Sequence, residues 1–374
     1  MSTRLLLIGD IHTRDGEQLD DVERCLAFAA DLSDERQVNG VLIAGDLFEG
    51  RSTPAERLVM GLALEALADG CRPVVIVKGN HDQADELAIF RGYPFIHVFD
   101  RPGTAFLDCG LDILCVPWPE KAFLAAGGHA GAEGDQAGGA TLAAMLRAMV
   151  ADRKPGVPFV VLGHLSVLGA ITSSAQPLVG KGIEAVLGDL QDLGAAFVAL
   201  GHIHRPQELA PGIEYLGSLT VHDFGEEDEE KRIGMLTVED DGAASVEWIP
   251  VPCRRWVTVE ARVVAGEVVE MASDTNELDG DEDYAGCNVR YRYRCSEDEA
   301  HLFDHDAIRR RFAAAHTLKI VPCVERAQRV RAAEVAAARS VKDKLIAYGT
   351  ATDTPISDSA LATLEELEAE AVRG

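Results

Sequence analysis

Five short aliphatic runs, each leading through a glycine into a polar side chain, constrain the fold of this 374-residue chain more than any other feature. They are RLLLIGD (4–10), VLIAGD (41–46), VVIVKGN (74–80), FVVLGH (159–164) and FVALGH (197–202). Near-continuous aliphatic runs are typical of parallel strands that are covered on both faces. Segments with helical apolar spacing, such as PAERLVMGLALEAL, lie between them. The pattern therefore predicts an α/β fold with parallel strands.

The polar side chains at the ends of these runs are expected to meet, because the carboxyl ends of parallel strands share one edge of a sheet, where ligands bind. They are Asp10, His12, Asp46, Asn80, His81, His164, His202 and His204. Carboxylates, imidazoles and amide oxygens bind divalent metals, and glycine directly before five of these positions lets the backbone turn sharply. With at least seven such ligands and no thiolate among them, the sequence predicts a site for two metal ions.

Each motif alone also has a purely structural explanation. A strand-end aspartate such as Asp10 or Asp46 commonly caps a turn, and a single Gly-His pair is weak evidence for a ligand. GNHD (79–82) is more specific, because three consecutive polar residues after a buried strand have no packing role. GHIH (201–204) places two imidazoles on the same side of an extended backbone. The five motifs together, in this order, favour the metal site.

The net charge of −27 narrows the class of protein. A domain that binds nucleic acid by itself needs a basic surface for the phosphates, so a plain nucleic-acid-binding module is disfavoured.

The eight cysteines are scattered without a CxxC pair, which predicts reduced core residues rather than a zinc or disulfide framework. No segment has the ~20 apolar residues of a membrane span and no signal peptide is evident, so we expect a soluble, cytoplasmic protein without a membrane partner.

The motifs DIH, GDLF, GNHD, GH and GHIH, in this order, resemble those of the calcineurin-like metallophosphoesterase superfamily. The segment EYLGSLTVHDFGEEDEEKRIGMLTVE (214–239) is also similar to the segment after GHxH in SbcD-type nucleases. The residues that carry this match are Tyr215, Gly217, Ser218, Phe224, Gly225, Glu226 and Lys231. The resemblance implies a sandwich of sheets flanked by helices, with a small α+β capping domain and a C-terminal helical tail. It implies a nuclease domain at 1–252, a capping domain at 253–323 and a helical docking segment at 324–374.

The resemblance also implies how the metal ligands divide between two ions. The implied sets are Asp10, His12 and His204 for one ion, Asn80, His164 and His202 for the other, and Asp46 as the bridge. In this family the ions are usually manganese, with magnesium or another transition metal as alternatives.

Two further residues have implied roles in the reaction. His81 would stay off the metals, beside the scissile phosphate, and protonate the leaving oxygen, for which an imidazole with a pKa of about 6.5 is suited. Asp82 would orient the ring of His81. Relatives often have a histidine directly after GDLF, where this chain has Glu49, so the role of that position is open.

The implied activity is that of a metal-dependent DNA nuclease, a 3′ to 5′ exonuclease on duplex ends and an endonuclease on single strands. Hydroxide formed at the two metal ions would attack the phosphodiester. The protein would act with an SbcC-like coiled-coil ATPase in DNA end processing and double-strand-break repair, and a homodimer is left open. A phosphodiesterase or phosphoprotein phosphatase with a non-DNA substrate would share the metal site and suits the acidic composition better. A non-catalytic scaffold is expected to lack ligands, and none is missing here.

The region after residue 253 is expected to contribute the contacts to DNA. The alternation in NVRYRYRC (288–295) predicts a strand with Val289, Tyr291, Tyr293 and Cys295 on one face and arginines on the other. The residues expected to contact DNA are Arg290, Arg292 and Arg294 on this strand and Arg309, Arg310 and Arg311 on a helix near 304–315. A solvated strand face and a basic helix surface are the alternative. The acidic run EEDEE (226–230), which precedes this region, predicts a solvated loop.

From about residue 324 the apolar spacing becomes helical. One stripe includes Val341 and Tyr348, and a second includes Leu361 and Leu367. Such stripes pack on their own domain or dock onto a partner helix. In SbcD-like proteins the C-terminal helices bind the base of the coiled coil of the ATPase, which the resemblance implies here.

Overall fold

The computed structural model describes residues 2–14, 16, 18–107, 109–120, 132–173, 183–264, 267–271, 284–325 and 333–371. The chain forms two compact units. The first comprises Met1–Glu260, Ala272–Tyr291 and His305–Ile320, and the second comprises Ala261–Met271, Arg292–Asp304 and Val321–Gly374. The expected domain limits of 1–252, 253–323 and 324–374 stay a prediction.

The first unit contains two six-stranded sheets. One consists of β1 (Ser2–Ile8), β2 (Gly40–Ile43), β3 (Val74–Val77), β4 (Ile96–Phe99), β13 (Arg232–Glu239) and β14 (Ala244–Pro250), in the order β14-β13-β1-β2-β3-β4. The other consists of β5 (Gly103–Leu107), β6 (Leu111–Val116), β7 (Phe159–His164), β10 (Phe197–Gly201), β11 (Gln207–Ala210) and β12 (Ile213–Tyr215), in the order β11-β12-β10-β7-β6-β5. Strands β1 to β4 pair in parallel, as do β6, β7, β10 and β12. All five aliphatic runs are therefore strands, and the predicted parallel pairing is confirmed.

The two sheets pack face to face because their central strands are apolar on both sides. Leu5 and Leu7 of β1 belong to the same hydrophobic cluster as Leu162 of β7 in the other sheet. Leu6 and Ile8 point the opposite way, into a cluster with side chains of the first two helices, since successive residues of a strand face opposite sides. A third cluster covers the outer face of the second sheet. The sandwich of sheets flanked by helices is confirmed.

The outer faces of the two sheets are covered by α1 (Leu19–Glu35), α2 (Pro54–Leu67), α3 (Ala84–Leu87), α4 (Ala132–Ala151) and α5 (Leu187–Gln191). Helix α6 (His305–Arg311) comes later in the chain, before the last strand. Helix α2 begins with a capping box between Thr53 and Glu56, with Pro54 in the first turn. Within the described ranges, no helix combines the length and apolar character needed to cross a bilayer.

The C-terminal third contains a further sheet and the helical tail. The sheet consists of β15 (Trp256–Val264), β16 (Glu267–Glu270), β17 (Asn288–Ser296) and β18 (Thr317–Glu325), in the order β16-β15-β17-β18. Earlier in the chain, β8 (Ser166–Val167) and β9 (Glu184–Ala185) form a separate short pair. In β17 the predicted alternation is confirmed, because Val289, Tyr291, Tyr293 and Cys295 are buried and the arginines between them are not. The tail consists of α7 (Ala333–Ala337), α8 (Val341–Ala351) and α9 (Asp358–Ala371).

Candidate metal centre

The predicted metal ligands converge at the carboxyl ends of strands from both sheets. In the first sheet, Asp10 and His12 follow β1, Asp46 follows β2 and Asn80 follows β3. In the second sheet, His164 ends β7, and His202 and His204 follow β10. Short distances between side chains of the two sheets, described below, show that these strand ends meet. The expectation of one shared sheet edge was therefore too simple, because the sandwich brings two edges together.

Glycines let these strand ends approach closely. A Cβ at Gly79 would lie 2.0 Å from Oδ1 of Asp46, and a Cβ at Gly201 would lie 2.2 Å from the carbonyl oxygen of Ala44. His12 and Asp46 both have a φ of +48°, in the left-handed region that non-glycine residues rarely adopt. Such conformations cost about 1–3 kcal/mol each and persist where the surrounding structure holds them. The backbone thus positions the ligands at an energetic cost, which is typical of functional sites.

The first predicted ligand group is built around His12 and His204. Their Nε2 atoms lie 3.0 Å apart, while Nδ1 of His12 is 2.8 Å from Glu49 and Nδ1 of His204 is 2.7 Å from Glu226. A carboxylate beside Nδ1 keeps the proton there and leaves the Nε2 lone pair available to a metal. Two nitrogens at ~2.1 Å from one ion, at right angles, would be about 3.0 Å apart. The observed separation therefore fits a shared ion.

The second predicted ligand group is built around Asn80. Its Oδ1 lies 2.9 Å from Nε2 of His164 and 2.9 Å from Nδ1 of His202. Nδ1 of His164 donates to the carbonyl oxygen of Ala44 at 2.7 Å, so Nε2 is the ring nitrogen that could bind the predicted ion. The indole of Trp118 covers this group, with its ring centroid 4.6 Å from that of His202.

Asp46 lies between the two groups. Its Oδ2 is 3.5 Å from Nε2 of His12 and 3.2 Å from Nε2 of His164, where a bridging ligand is expected. Asp10 accepts the backbone N–H of His202 at 2.8 Å through Oδ1, while its Oδ2 is buried and has no hydrogen-bond partner in the described part of the chain. A buried carboxylate oxygen without a donor is costly unless a cation binds it. The donor set therefore fits divalent metal ions.

The pKa values of the metal-free ligands reflect how closely they are packed. Burial by itself would raise the pKa of Asp46, but the imidazole of His164 outweighs it and holds that pKa below its usual range. Burial opposes protonation of His164, yet the carboxylate of Asp46 raises the pKa of His164 to about 9. Burial and the neighbouring His164 lower the pKa of His202 to about 3. A metal ion that binds here must displace a proton from His164.

His81 lies beside the first group, where a residue that acts on the phosphate is expected. Its backbone N–H donates to Oδ1 of Asp46 at 2.8 Å, and its ring centroid is 5.0 Å from that of His12. Its Nδ1 lies 2.9 Å from the carbonyl oxygen of Glu49. Because a carbonyl oxygen can only accept, Nδ1 carries a proton, and Nε2 is the ring nitrogen left for proton exchange.

The predicted contact between Asp82 and the ring of His81 was wrong. The buried carboxylate of Asp82 instead accepts the backbone N–H groups of Leu47 at 2.8 Å, Phe48 at 3.2 Å and Gly79 at 2.9 Å. Both oxygens are used by these donors, so the carboxylate joins the turn after β2 to the turn after β3. Burial and then the charge of Asp46 raise the pKa of Asp82 to about 6.

The prediction of a solvated loop for EEDEE was wrong at Glu226. That carboxylate is buried and accepts from Nδ1 of His204 at 2.7 Å, Nζ of Lys231 at 2.9 Å and the backbone N–H of His222 at 3.1 Å. Because its neighbours are also acidic, Glu226 looked like part of a solvent-exposed run in the sequence. The signal that could have revealed it was the match of Glu226, together with Lys231, to the segment that follows GHxH.

Glu49 and His222 are further residues of the site whose place the sequence left undecided. Glu49 contacts His12, and this hydrogen bond lowers the pKa of Glu49 to about 2. The ring of His222 lies beside His12 and His204, with centroid distances of 5.1 Å and 4.8 Å. Burial and these imidazoles lower the pKa of His222 to about 3. His222 lies outside the strand-end motifs, so no sequence signal marked it.

The arginines expected to contact DNA have varied surroundings. Arg290 donates to Oγ1 of Thr258 at 2.9 Å, pairs with Glu227 at 3.4 Å and covers the ring of Phe224. Arg309 is exposed and pairs with Asp306 on its own helix. DNA contact by Arg290, Arg292, Arg294, Arg309, Arg310 and Arg311 stays a prediction.

The chain is similar to known proteins in the part that forms this site. Residues 3–206 match the family model of the calcineurin-like phosphoesterases. The SbcD subunit of the nuclease SbcCD from Rhodobacter capsulatus is 32% identical over 265 residues, which cover 60% of this chain and 63% of that protein. The corresponding proteins from Bacillus subtilis and Escherichia coli K12 are 28% and 25% identical, over 58% and 66% of this chain and 62% and 66% of theirs. The chain thus matches less than two thirds of the length of each of these relatives.

The region that matches the family model includes all the predicted metal ligands, from Asp10 to His204. It also includes most of both sheets of the sandwich. Sequence motifs, fold and ligand geometry therefore agree over more than half of the chain. This chain belongs to the calcineurin-like phosphoesterase family.

Proposed function

We propose that this protein is a metal-dependent DNA nuclease of the SbcD type, which hydrolyses phosphodiester bonds with two divalent metal ions. The observation that carries the proposal is the pair of ligand groups joined by Asp46, with His81 beside them. The similarity to SbcD proteins of the nuclease SbcCD supports DNA as the substrate.

The residues of the site have distinct roles in the proposed reaction. When bound, the two metal ions would offset the negative charge of the phosphodiester and lower the pKa of a water molecule toward neutrality. Asp46 lies between the two ligand groups and accepts the backbone N–H of His81, which holds the proton donor beside them. His81 keeps a proton on Nδ1 through the carbonyl oxygen of Glu49 and transfers one from Nε2 to the departing sugar oxygen.

We propose Mn²⁺ as the ion used. The donors are carboxylates, imidazoles and one amide oxygen, without a thiolate, and this mixture suits Mn²⁺ and neighbouring first-row metals. Mg²⁺ binds proteins mainly through oxygen ligands, so a site with four imidazoles favours the transition metal.

We further propose 3′ to 5′ exonuclease activity on duplex ends, endonuclease activity on single strands, and a coiled-coil ATPase partner of the SbcC type. The net charge of −27 supports the partner, because a chain this acidic needs a basic surface from elsewhere to hold DNA. Apolar side chains of α8 and α9 support docking, since Val341, Tyr348 and Leu367 are each more than half exposed, at 56%, 57% and 56%.

The proposed activity is tested by incubating the protein with Mn²⁺ and end-labelled duplex DNA, single-stranded DNA or bis-p-nitrophenyl phosphate. Both DNA forms should be cut, and a chelator should abolish the cutting. His81→Gln should lose DNA cleavage but still bind Mn²⁺, whereas His97→Gln, an exposed position on β4, should behave as wild type. An active His81→Gln protein would refute the role of His81.

A phosphodiesterase acting on a non-DNA substrate is the second candidate, and the net charge of −27 favours it. An acidic surface repels DNA but tolerates a small ester. Cleavage of bis-p-nitrophenyl phosphate without cleavage of either DNA form would support this candidate and overturn the nuclease.

The partner is tested separately. Leu367→Asp should abolish co-purification with a co-expressed coiled-coil ATPase and leave hydrolysis of bis-p-nitrophenyl phosphate unchanged. Glu366→Ala, at an exposed neighbour on the same helix, serves as the control. Retained binding by Leu367→Asp would refute docking through this face.

A further inference from the structure

A third imidazole lies beside the two that form the first ligand group. The ring centroids of His12 and His204 are 4.7 Å apart, and that of His222 is 5.1 Å and 4.8 Å from them. The three rings thus form a nearly equilateral triangle. Three imidazoles with nitrogens ~2.1 Å from one ion would have centroids about 4.6–5.3 Å apart, for ligand angles between a right angle and the tetrahedral angle. The observed spacing falls within that range.

The side chain of His222 also has an unused ligand atom. Its Nε2 is buried and has no hydrogen-bond partner among the described residues. A buried ring nitrogen without a partner is costly, and a cation would remove that cost.

The backbone of His222 is held in place from both sides. Its N–H donates to Oε2 of Glu226 at 3.1 Å, and its carbonyl oxygen accepts from Nε2 of Gln18 at 3.2 Å. The other oxygen of Glu226 holds Nδ1 of His204 at 2.7 Å. One buried carboxylate therefore positions both imidazoles, so His222 is built into the same arrangement as a predicted ligand.

We infer that His222 is a further metal ligand, which adds a third imidazole nitrogen to the ion held by His12 and His204. The inference rests on the proposed metal centre. Imidazole-rich sites bind the later first-row ions, such as Co²⁺ and Zn²⁺, more tightly than Mn²⁺. The third imidazole therefore makes this position prefer Co²⁺ or Zn²⁺ over Mn²⁺ more strongly than the position around Asn80, which has two imidazoles, while Mn²⁺ remains the ion proposed for the reaction through its availability.

The test is a titration of metal-free protein with Co²⁺, followed by visible absorption, and then competition with Mn²⁺. Wild type should bind two Co²⁺ ions, one of which is displaced only at a higher Mn²⁺ concentration than the other. His222→Leu should lose roughly 10-fold or more in Co²⁺ affinity at one position, with a smaller loss in Mn²⁺ affinity. His97→Leu, the same substitution at an exposed position on β4, should match wild type.

His222→Gln keeps a polar side chain and provides a second variant should His222→Leu not fold, as judged by its unfolding transition in chelator. It too should lose the Co²⁺ preference, because an amide replaces the third imidazole. Unchanged Co²⁺ affinity and unchanged selectivity over Mn²⁺ in either folded variant would overturn the inference.

The titration contains no DNA, so the two proposals fail independently. A wild-type protein that binds two ions and cuts no DNA refutes the nuclease alone. A wild-type nuclease whose folded His222 variants keep its metal selectivity refutes the role of His222 alone.

Discussion

Replacing Glu226 by glutamine tests whether the metal centre depends on the buried carboxylate that supports it. Glu226 accepts from Nδ1 of His204 at 2.7 Å and from Nζ of Lys231 at 2.9 Å, and the side chain of Lys231 is fully buried. Glutamine keeps the size and one acceptor oxygen but removes the charge. The variant therefore isolates the electrostatic part of the contact.

The magnitude follows from the partners that remain. Removing one member of a buried ion pair costs about 3–5 kcal/mol when the other charge is left alone. Lys231 keeps Glu229 at 2.8 Å, so we expect the smaller value of a charged hydrogen bond, about 1.5–3 kcal/mol in free energy of unfolding. Loss of the carboxylate behind a metal-binding histidine lowers metal affinity roughly 10- to 100-fold.

Two assays measure these effects: urea unfolding in chelator, and calorimetric titration with Mn²⁺. Glu230→Gln, at an exposed position of the same acidic run, is the matched control and should change stability by less than ~0.5 kcal/mol. A Glu226→Gln protein that matches Glu230→Gln in both assays would refute the reasoning.

The difference between wild type and Glu226→Gln should also depend on pH. Burial would raise the pKa of Glu226, but the hydrogen bond from His204 and the charge of Lys231 hold it below the usual range. A lowered pKa stabilises the folded protein above the unfolded value of about 4.3, and that contribution is lost as the pH falls. The stability difference should therefore be full at neutral pH and shrink in acid.

Three further predictions address the ligands, the core and the DNA surface. In the metal-free protein, the pKa of His164 is raised to about 9, so its protonation stabilises the fold fully below the unfolded value of ~6.5. Between pH 6.5 and 9, the free energy of unfolding in chelator should therefore fall and the affinity for Mn²⁺ should rise. Values that do not change with pH would contradict this. Tyr215→Phe removes a buried hydroxyl that donates to the carbonyl oxygen of Leu165 at 2.7 Å and accepts the N–H of Val167 at 2.9 Å. This change should lower the free energy of unfolding by about 1–3 kcal/mol, whereas Tyr93→Phe, at an exposed tyrosine, should not. Arg294→Gln should reduce the salt dependence of DNA binding by about one phosphate contact, and an unchanged slope would remove Arg294 from the DNA surface.

The predicted ligands could be identified in the sequence because each stands at or just after the end of a buried strand, in a short motif. Runs such as LLLI and VVIV identify the strands, and the polar residue after each run marks the edge at which ligands collect. Asp10, Asp46 and Asn80 are brought together as expected. These properties are local, since they depend only on residues a few positions apart.

The partners of those ligands were not predictable in the same way. His12 and His204 are 192 residues apart, and their approach depends on how the two sheets pack. Glu226 lies in a run that looks solvated, and Asp82 stands next to His81 in the chain yet binds the turn after β2. Neither contact joins residues at a regular sequence spacing, so no sequence pattern could indicate it.

The sequence by itself determined the strands, their parallel pairing, the family and which residues are predicted as metal ligands, because hydrophobic periodicity and strand-end motifs are properties of short segments. Only the tertiary structure decided which carboxylates contact the imidazoles, which carbonyl oxygen contacts the ring of His81, and that His222 lies beside His12 and His204. Those contacts join loops from different strands and sheets, so they depend on strand order and sheet packing rather than on neighbouring residues.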